Sequence, residues 1–247
     1  MLQEERHNFI LQEINSHNKV VVSELCQHLK VSLDTIRRDI KELEKKGKVI
    51  KVHGGAVSPN FHQPFQQPEV YAKHEKKEIA KKAVTIIKDG MTLLTGGGTV
   101  KLELARILPE NLTGTLFTVS PLVALEAAQR SSVEVVLIGG SLARNSYICT
   151  GASVASAIAD INVDLCLLGT NGLSLDQGIT DYDWEVAQVK KALIKVSRRS
   201  ALLSISDKLG IVQKVKVCKL ESVDYLITEL NPNDNKLDQY RKICKIL

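Results

Sequence analysis

Apolar residues recur at helical spacing in three stretches near the start of the chain. Over residues 4–15, Phe9, Ile10 and Ile14 fall on one side. The next stretch, ELCQHL, turns Leu25 and Leu29 inward and has Ser23 in place as an N-cap. The third begins LDTIRRDIKELEKKG at Leu33. At roughly 100° per residue, Leu33, Ile36, Ile40 and Leu43 form one stripe, and Arg38, Lys41 and Lys45 project away from it. A tight turn at Lys30–Val31 precedes this helix, Ser32 can cap it, and Gly47 suits the left-handed residue that ends it. KVIKVHGGAV follows, rich in β-branched residues with paired glycines, and predicts a small β-ribbon.

The pattern then breaks. SPNFHQPFQQPEV holds Pro59, Pro64 and Pro68 with little apolar periodicity, and reads as a linker over 58–74. From Glu75, EKKEIAKKAVTIIKDG is helical up to Gly90. Beyond it, MTLLT, TLFTV, VEVVLI, VDLCLL, ALLSIS and DYLIT are candidate strands. VKLELARIL, PLVALEAAQ, SVASAIAD and WEVAQVKKALIKVS are helical patterns set among them. Strands alternating with helices predict βαβ units and a mainly parallel sheet covered on both faces. The expected fold class is α/β: a small head over 1–57, the linker over 58–74, and an α/β domain over 75–247.

Composition adds little: 44% hydrophobic and 25% charged residues describe an ordinary soluble protein with a sizeable core. The five cysteines are scattered and never form a CxxC pair, which fits reduced thiols in a cytoplasmic protein better than a disulfide frame or a zinc site. MLQEERHNF lacks a signal-peptide core and no apolar run is long enough to cross a membrane. No metal, cofactor or membrane partner is expected.

Charge changes the picture more. The net +5 is mild, but residues 30–53 hold eight Lys or Arg against four Asp or Glu. Alone, the third helix would read as a solvated amphipathic helix. With a capped short helix before it and a basic ribbon after it, the order is that of a winged helix-turn-helix, whose third helix enters the major groove of double-stranded DNA. In that placement Thr35 and Arg38 reach base edges, and Arg37, Lys41 and Lys51 meet phosphates. Gly54 and Gly55 let the ribbon approach the DNA backbone.

The run SELCQHLKVSLDTIRRDIKELEKKGKVIKVHGGAV also resembles the DNA-binding signature of the DeoR-type bacterial transcription regulators, in its S-x-D-T-I-R-R-D core and its H-G-G-A. The resemblance implies a recognition helix carrying Thr35, Arg37 and Arg38 after Ser32, and a wing carrying His53 and Gly54.

In the second half, MTLLTGGGTVKLELA runs a strand into three glycines, Thr99 and a helix. Glycines permit close approach, and amides at a helix N-terminus favour an anion. The spacing is neither a Walker A loop nor a GxGxxG, and a plain tight turn explains it equally well. Gly139–Gly140 and the run Gly169, Thr170, Asn171, Gly172 follow other strands, at the sheet end where α/β ligands gather. This order, continued by DYDWEVAQVKKAL and SDKLG, resembles the DeoR-type sensor domain, which is similar to the ribose-phosphate isomerase fold and typically binds a phosphorylated sugar or related metabolite. The resemblance implies Gly97, Gly98 and Thr99 at the phosphate. It places Ser120, Gly140, Gly169, Asn171 and Gly172 along the sugar, with Glu185, Lys190 and Lys208 completing the site. The chain departs from that family at Gly96, Val119, Ala143 and Ile205, so the phosphate end matches better than the sugar end.

The function expected is a non-enzymatic repressor of carbohydrate genes, a homo-oligomer (dimer or tetramer) modulated by a phosphorylated sugar. Two alternatives remain at this point. One is a sugar-phosphate isomerase using Glu185 or Asp181, and the other is a DNA-binding protein whose pocket has lost its ligand.

Overall fold

The computed structural model describes residues 2–17, 19–58 and 72–247. The chain divides into two compact units, Met1–Lys73 and His74–Leu247. The linker reading falls almost wholly on residues 59–71, outside the described ones.

The first unit runs α1 (Gln3–His17), β1 (Lys19–Val21), α2 (Val22–Leu29), α3 (Leu33–Lys45), β2 (Ile50–Val52) and β3 (Gly55–Val57). Ile10, Ile14, Leu25, Ile36, Ile40 and Leu43 build its core together with Val49 and Ala56. Leu33 leaves the expected stripe and is 48% exposed, because it lies on the first turn of α3, beyond the reach of α1. Lys30 turns the chain with φ 51°, and the Ser32 hydroxyl accepts from the Thr35 amide at 3.2 Å, as the spacing predicts. Ser23 is not a cap. Helix α2 starts one residue earlier, and its first amide, on Val22, donates to the Gly54 carbonyl of the wing at 2.9 Å. The wing is also larger than the predicted ribbon: β1 adds to it, in the antiparallel order β1-β3-β2.

The second unit opens with α4 (Lys73–Val84), which ends a turn earlier than the sequence predicts. Next come β4 (Thr92–Thr95), α5 (Thr99–Arg106), β5 (Thr115–Thr118), α6 (Pro121–Arg130) and β6 (Glu134–Leu137). A hairpin of β7 (Ser141–Ala143) and β8 (Ile148–Thr150) leads to α7 (Ala152–Ala159) and β9 (Val163–Gly169). After β10 (Gly172–Ser174), β11 (Gly178–Asp181) and α8 (Trp184–Lys195) the chain finishes with β12 (Ser197–Leu203), β13 (Val215–Cys218), β14 (Tyr225–Ile227), α9 (Asp238–Arg241) and β15 (Lys245–Ile246).

Seven parallel strands form one sheet in the order β15-β14-β12-β9-β4-β5-β6. From β4 the chain steps one way to β5 and β6. It then crosses back to β9 and steps the other way to β12 and β14. Right-handed crossovers put the connecting helices of the two directions on opposite faces. The strand order therefore reverses between β4 and β9, and the crevice at the carboxyl ends of these two strands is where such a sheet holds a ligand. Central strands covered on both faces read as unbroken apolar runs, as in Leu165–Leu168. A small antiparallel sheet, β10-β11-β13, stands beside that crevice.

Candidate functional site

In the head, helix α3 presents Arg37, Arg38, Lys41 and Lys45, all exposed. Thr35 is half-buried and its hydroxyl lies 2.9 Å from that of Ser32, so the cap also orients the first residue expected at a base. Lys51, His53 and Gly54 are exposed on the wing, and Gly54 has φ 78°. Gly55 is otherwise employed than expected: it is buried, and a Cβ there would collide with the Val20 carbonyl, so it serves the packing of β3 on β1. The Lys51 amide donates to Glu44 Oε1 at 3.3 Å, tying the wing to α3.

One acidic residue of the recognition helix turns inward. Asp39, 1% exposed, accepts from Arg6 Nε at 2.7 Å and Arg6 Nη2 at 3.0 Å, and His7 Nε2 lies 3.3 Å away. The pairing locks α1 to α3 and raises the Arg6 pKa through its hydrogen bond to Asp39. It also removes one negative charge from the outer face, leaving that face more basic than the residue count suggests.

In the second unit, the loops after β4 and β9 meet. Gly97 packs against Ile148 and lies beside Ser120; a methyl group at Gly97 would overlap the Ile148 side chain. Gly98, with φ 112°, is the N-cap residue of α5. The Leu102 amide makes that helix's first internal bond, to the Gly98 carbonyl at 3.1 Å, so the amides of Thr99, Val100 and Lys101 lack intrahelical acceptors. Ser120 is fully buried and its hydroxyl caps α6 by accepting from the Val123 amide.

Lys101 was absent from the residues expected here. It is 5% exposed, its stem runs beside Leu104, Leu116 and Leu167, and its ammonium ends between the two glycine loops. A methyl group on Gly169 would fall on that ammonium, and one on Gly98 would lie 3.1 Å from it. Burial, together with the charges of Lys190 and Lys76, lowers its pKa to about 7. Lys76, 3% exposed, is lowered to about 8 by burial and by Lys208. Lys208 is 5% exposed and is lowered by burial, against the opposing pull of Asp207 and Asp181.

The carboxylate of Asp181 lies among these cations. Asp181 is fully buried; it accepts from Lys190 Nζ at 2.6 Å, Asn171 Nδ2 at 3.1 Å and the Asp183 amide at 3.2 Å. Burial opposes its ionisation, but Lys190 and these hydrogen bonds prevail and hold the carboxyl below its ordinary range. A carboxylate held ionised in this way is poorly matched to proton transfer near neutrality. The arrangement gathers positive charge around one ionised carboxylate rather than pairing an acid with a base.

Of the residues expected around a sugar, the structure brings together Gly97, Gly98, Thr99, Ser120, Gly169, Asn171, Lys190 and Lys208. Glu185 sits exposed on the first turn of α8 and makes no hydrogen bond or ion pair among the described residues. Gly140 and Gly172 have packing reasons to be glycine. A Cβ on Gly140 would strike Val154 and the Thr150 carbonyl, and one on Gly172 would strike the Ile211 carbonyl and the Thr180 hydroxyl. Lys101 carried a signal in the sequence. It shares the buried face of α5 with Val100, Leu104 and Ala105, just as Lys76 shares that of α4 with Ile79, Ala80 and Ala83. A lysine on an apolar stripe is the informative exception.

No group of His, Cys, Asp and Glu among the described residues has the makings of a metal site, and no helix among them is long and apolar enough to cross a membrane. All five cysteines are free thiols, and burial pushes Cys166 up to about 12, far from a reactive thiolate.

A winged helix-turn-helix head joined to an α/β domain is the plan of a two-domain transcriptional regulator. The comparisons agree: residues 6–61 match the DeoR-like helix-turn-helix domain, and residues 72–230 match the DeoR C terminal sensor domain. The chain belongs to the DeoR family of transcriptional regulators, as its signature and loop order suggested. It is similar to the HTH-type transcriptional regulator GolR of Listeria innocua, at 32% identity over 96% of this chain and 94% of that one. It is also similar to the glycerol-3-phosphate regulon repressor of Escherichia coli, at 28% identity over 94% of this chain and 93% of that one. Relatives so named are regulators, and the chain is not an enzyme. Among solved structures, ribose 5-phosphate isomerase A from Methanocaldococcus jannaschii aligns over 54% of this chain and 53% of its own, with 20% identity and a TM-score of 0.40, a likeness too low to bear on function.

Proposed function

We propose that this regulator is a repressor of carbohydrate genes whose operator affinity is set by a phosphorylated metabolite bound between the β4 and β9 loops. The observation that carries the reading is the cluster of buried lysines around Asp181, beside the amides of α5 that lack intrahelical acceptors, at the point where the strand order reverses. The E. coli relative is named for a glycerol-3-phosphate regulon, which supports a small phosphorylated effector. A ligand that prefers the weak-DNA conformation lowers operator affinity by its differential binding energy. A homo-oligomer, dimer or tetramer, would place two heads on symmetric half-sites.

The test is the affinity for the protein's own upstream DNA at fixed salt, with and without a panel of sugar phosphates. One compound that loosens a specific complex supports the switch. A specific complex indifferent to every compound means a DNA binder without a sensor. In the same assay Arg38→Ala is expected to cost about 1–3 kcal/mol and relax base preference at one position. Lys51→Ala is expected to weaken all sequences alike and reduce the salt slope by about 1. Equal losses on every sequence for both variants would remove Arg38 from the bases.

A further inference from the structure

Lys101 and Lys208 share an unusual state. Each is 5% exposed, and neither ammonium makes a hydrogen bond or ion pair with any protein group among the described residues. Lys190 differs, because Asp181 neutralises it at 2.6 Å. A buried ammonium left without a partner is costly, and it persists where a ligand supplies the counter-charge.

The two unpartnered ammoniums belong to different strand ends. Lys101 comes from α5 after β4, and its ammonium lies between Gly98 and Gly169. Lys208 belongs to the 3-10 turn Ser206–Lys208 after β12, which is tied to β10 by the Gly210 amide donating to the Leu173 carbonyl at 2.7 Å. In the sheet β12 and β4 flank β9, so their ends are two strand spacings apart, roughly 10 Å. The charges acting on them differ accordingly: Lys190 and Lys76 weigh most on Lys101, Asp207 and Asp181 on Lys208. One end offers helix amides and a lysine, the other a second lysine, and the ion pair of Asp181 and Lys190 acts on the space they share.

We propose that the effector carries two separate anionic groups, a phosphate seated by Lys101 and the α5 amides and a second phosphate or a carboxylate seated by Lys208. This rests on the sensor reading above and narrows it to sugar bisphosphates and phosphorylated sugar acids. A singly phosphorylated neutral sugar would leave the Lys208 ammonium with only the pull of Asp207 and Asp181, neither of which forms an ion pair with it. The structure assigns Lys208 as the residue that selects for the second anion.

The experiment is calorimetry on the full chain with fructose 6-phosphate, fructose 1,6-bisphosphate, 6-phosphogluconate and inorganic phosphate, at matched ionic strength. A doubly anionic compound is expected to bind at least about tenfold more tightly than fructose 6-phosphate. Lys208→Met should cut that preference to near unity, lowering the affinity for the doubly anionic compounds by more than that for fructose 6-phosphate. Lys101→Met should weaken every phosphate, including the inorganic ion, with a raised rather than lowered melting temperature because a buried charge is gone. Preference for the bisphosphate tells two phosphates from a phosphate with a carboxylate, which 6-phosphogluconate would report. Fructose 6-phosphate binding as tightly as either doubly anionic compound overturns the inference and leaves the sensor reading standing. No binding of any compound overturns both.

Discussion

Asp39→Ala is expected to unfold the winged head and abolish operator binding, although Asp39 faces away from the surface offered to DNA. The carboxylate is buried and accepts two bonds from Arg6, with His7 Nε2 at 3.3 Å. Its loss leaves those two side chains of α1 facing an apolar hole. The apolar seam between α1 and α3 is built on Ile10, Ile14, Ile36, Ile40 and Leu43, with Phe9 and Leu11 packed against the same core. A small unit has little stability to lose, so the melting temperature of the head should fall by roughly 10 °C or more. Hydrogen exchange in the full chain would read it: α1 and α3 should lose protection together, while the sensor sheet keeps its own. Asp39→Asn should be milder, since one acceptor oxygen remains. A variant that loses DNA affinity with unchanged protection in α1 and α3 would mean that Asp39 acts at the DNA after all.

That residue also marks how far the sequence could be read. In IRRDI the arginines are legible as a basic face because their neighbours Ile36 and Ile40 fix the opposite one. Asp39 was counted with the surface charges because nothing local says that Arg6, 33 residues away, will pair with it. The same limit decided the strands. Runs such as VDLCLL were long enough to be recognised as buried, whereas β1, β7, β8 and β10 have three residues each, too few to show a period, and exist only through their pairing with β3, with each other and with β11. In the sensor, the glycine loops were legible as turns at strand ends, but their individual reasons were not. Gly169 faces the Lys101 ammonium, while Gly172 merely fits under the Ile211 carbonyl. The lysine cluster was readable in principle. Lys76, Lys101 and Lys190 each sit among buried apolar residues of their helices, and three such lysines on three helices point to a shared site of positive charge.

Asp181→Ala should be the most damaging change in the sensor, and anions should reverse part of the damage. It removes the only carboxylate hydrogen-bonded to Lys190 among the described residues and leaves Lys101 and Lys208 with more repulsion and less attraction. Breaking a buried pair from one side costs on the order of 3–5 kcal/mol. The pH dependence gives the assignment its sign. In the wild type the Asp181 carboxyl is held below its ordinary value of 3.8, so its contribution is present above that value and is lost as pH falls through the folded-state pKa. Lys101 is lowered from 10.5 to about 7, so the unfolded chain binds more protons between those values and stability rises with pH across that window. The Ala variant should lose the acid limb. It should also extend the rising limb to lower pH, because Lys101 has lost an attracting charge. Millimolar inorganic phosphate should then raise the variant's melting temperature by more than the wild type's, since the added anion replaces the missing carboxylate beside Lys190. Melting curves of the two proteins between pH 4 and 10, with and without phosphate, carry the whole comparison. A variant as stable as the wild type throughout would mean that water already screens these lysines and that the cluster is no receptor.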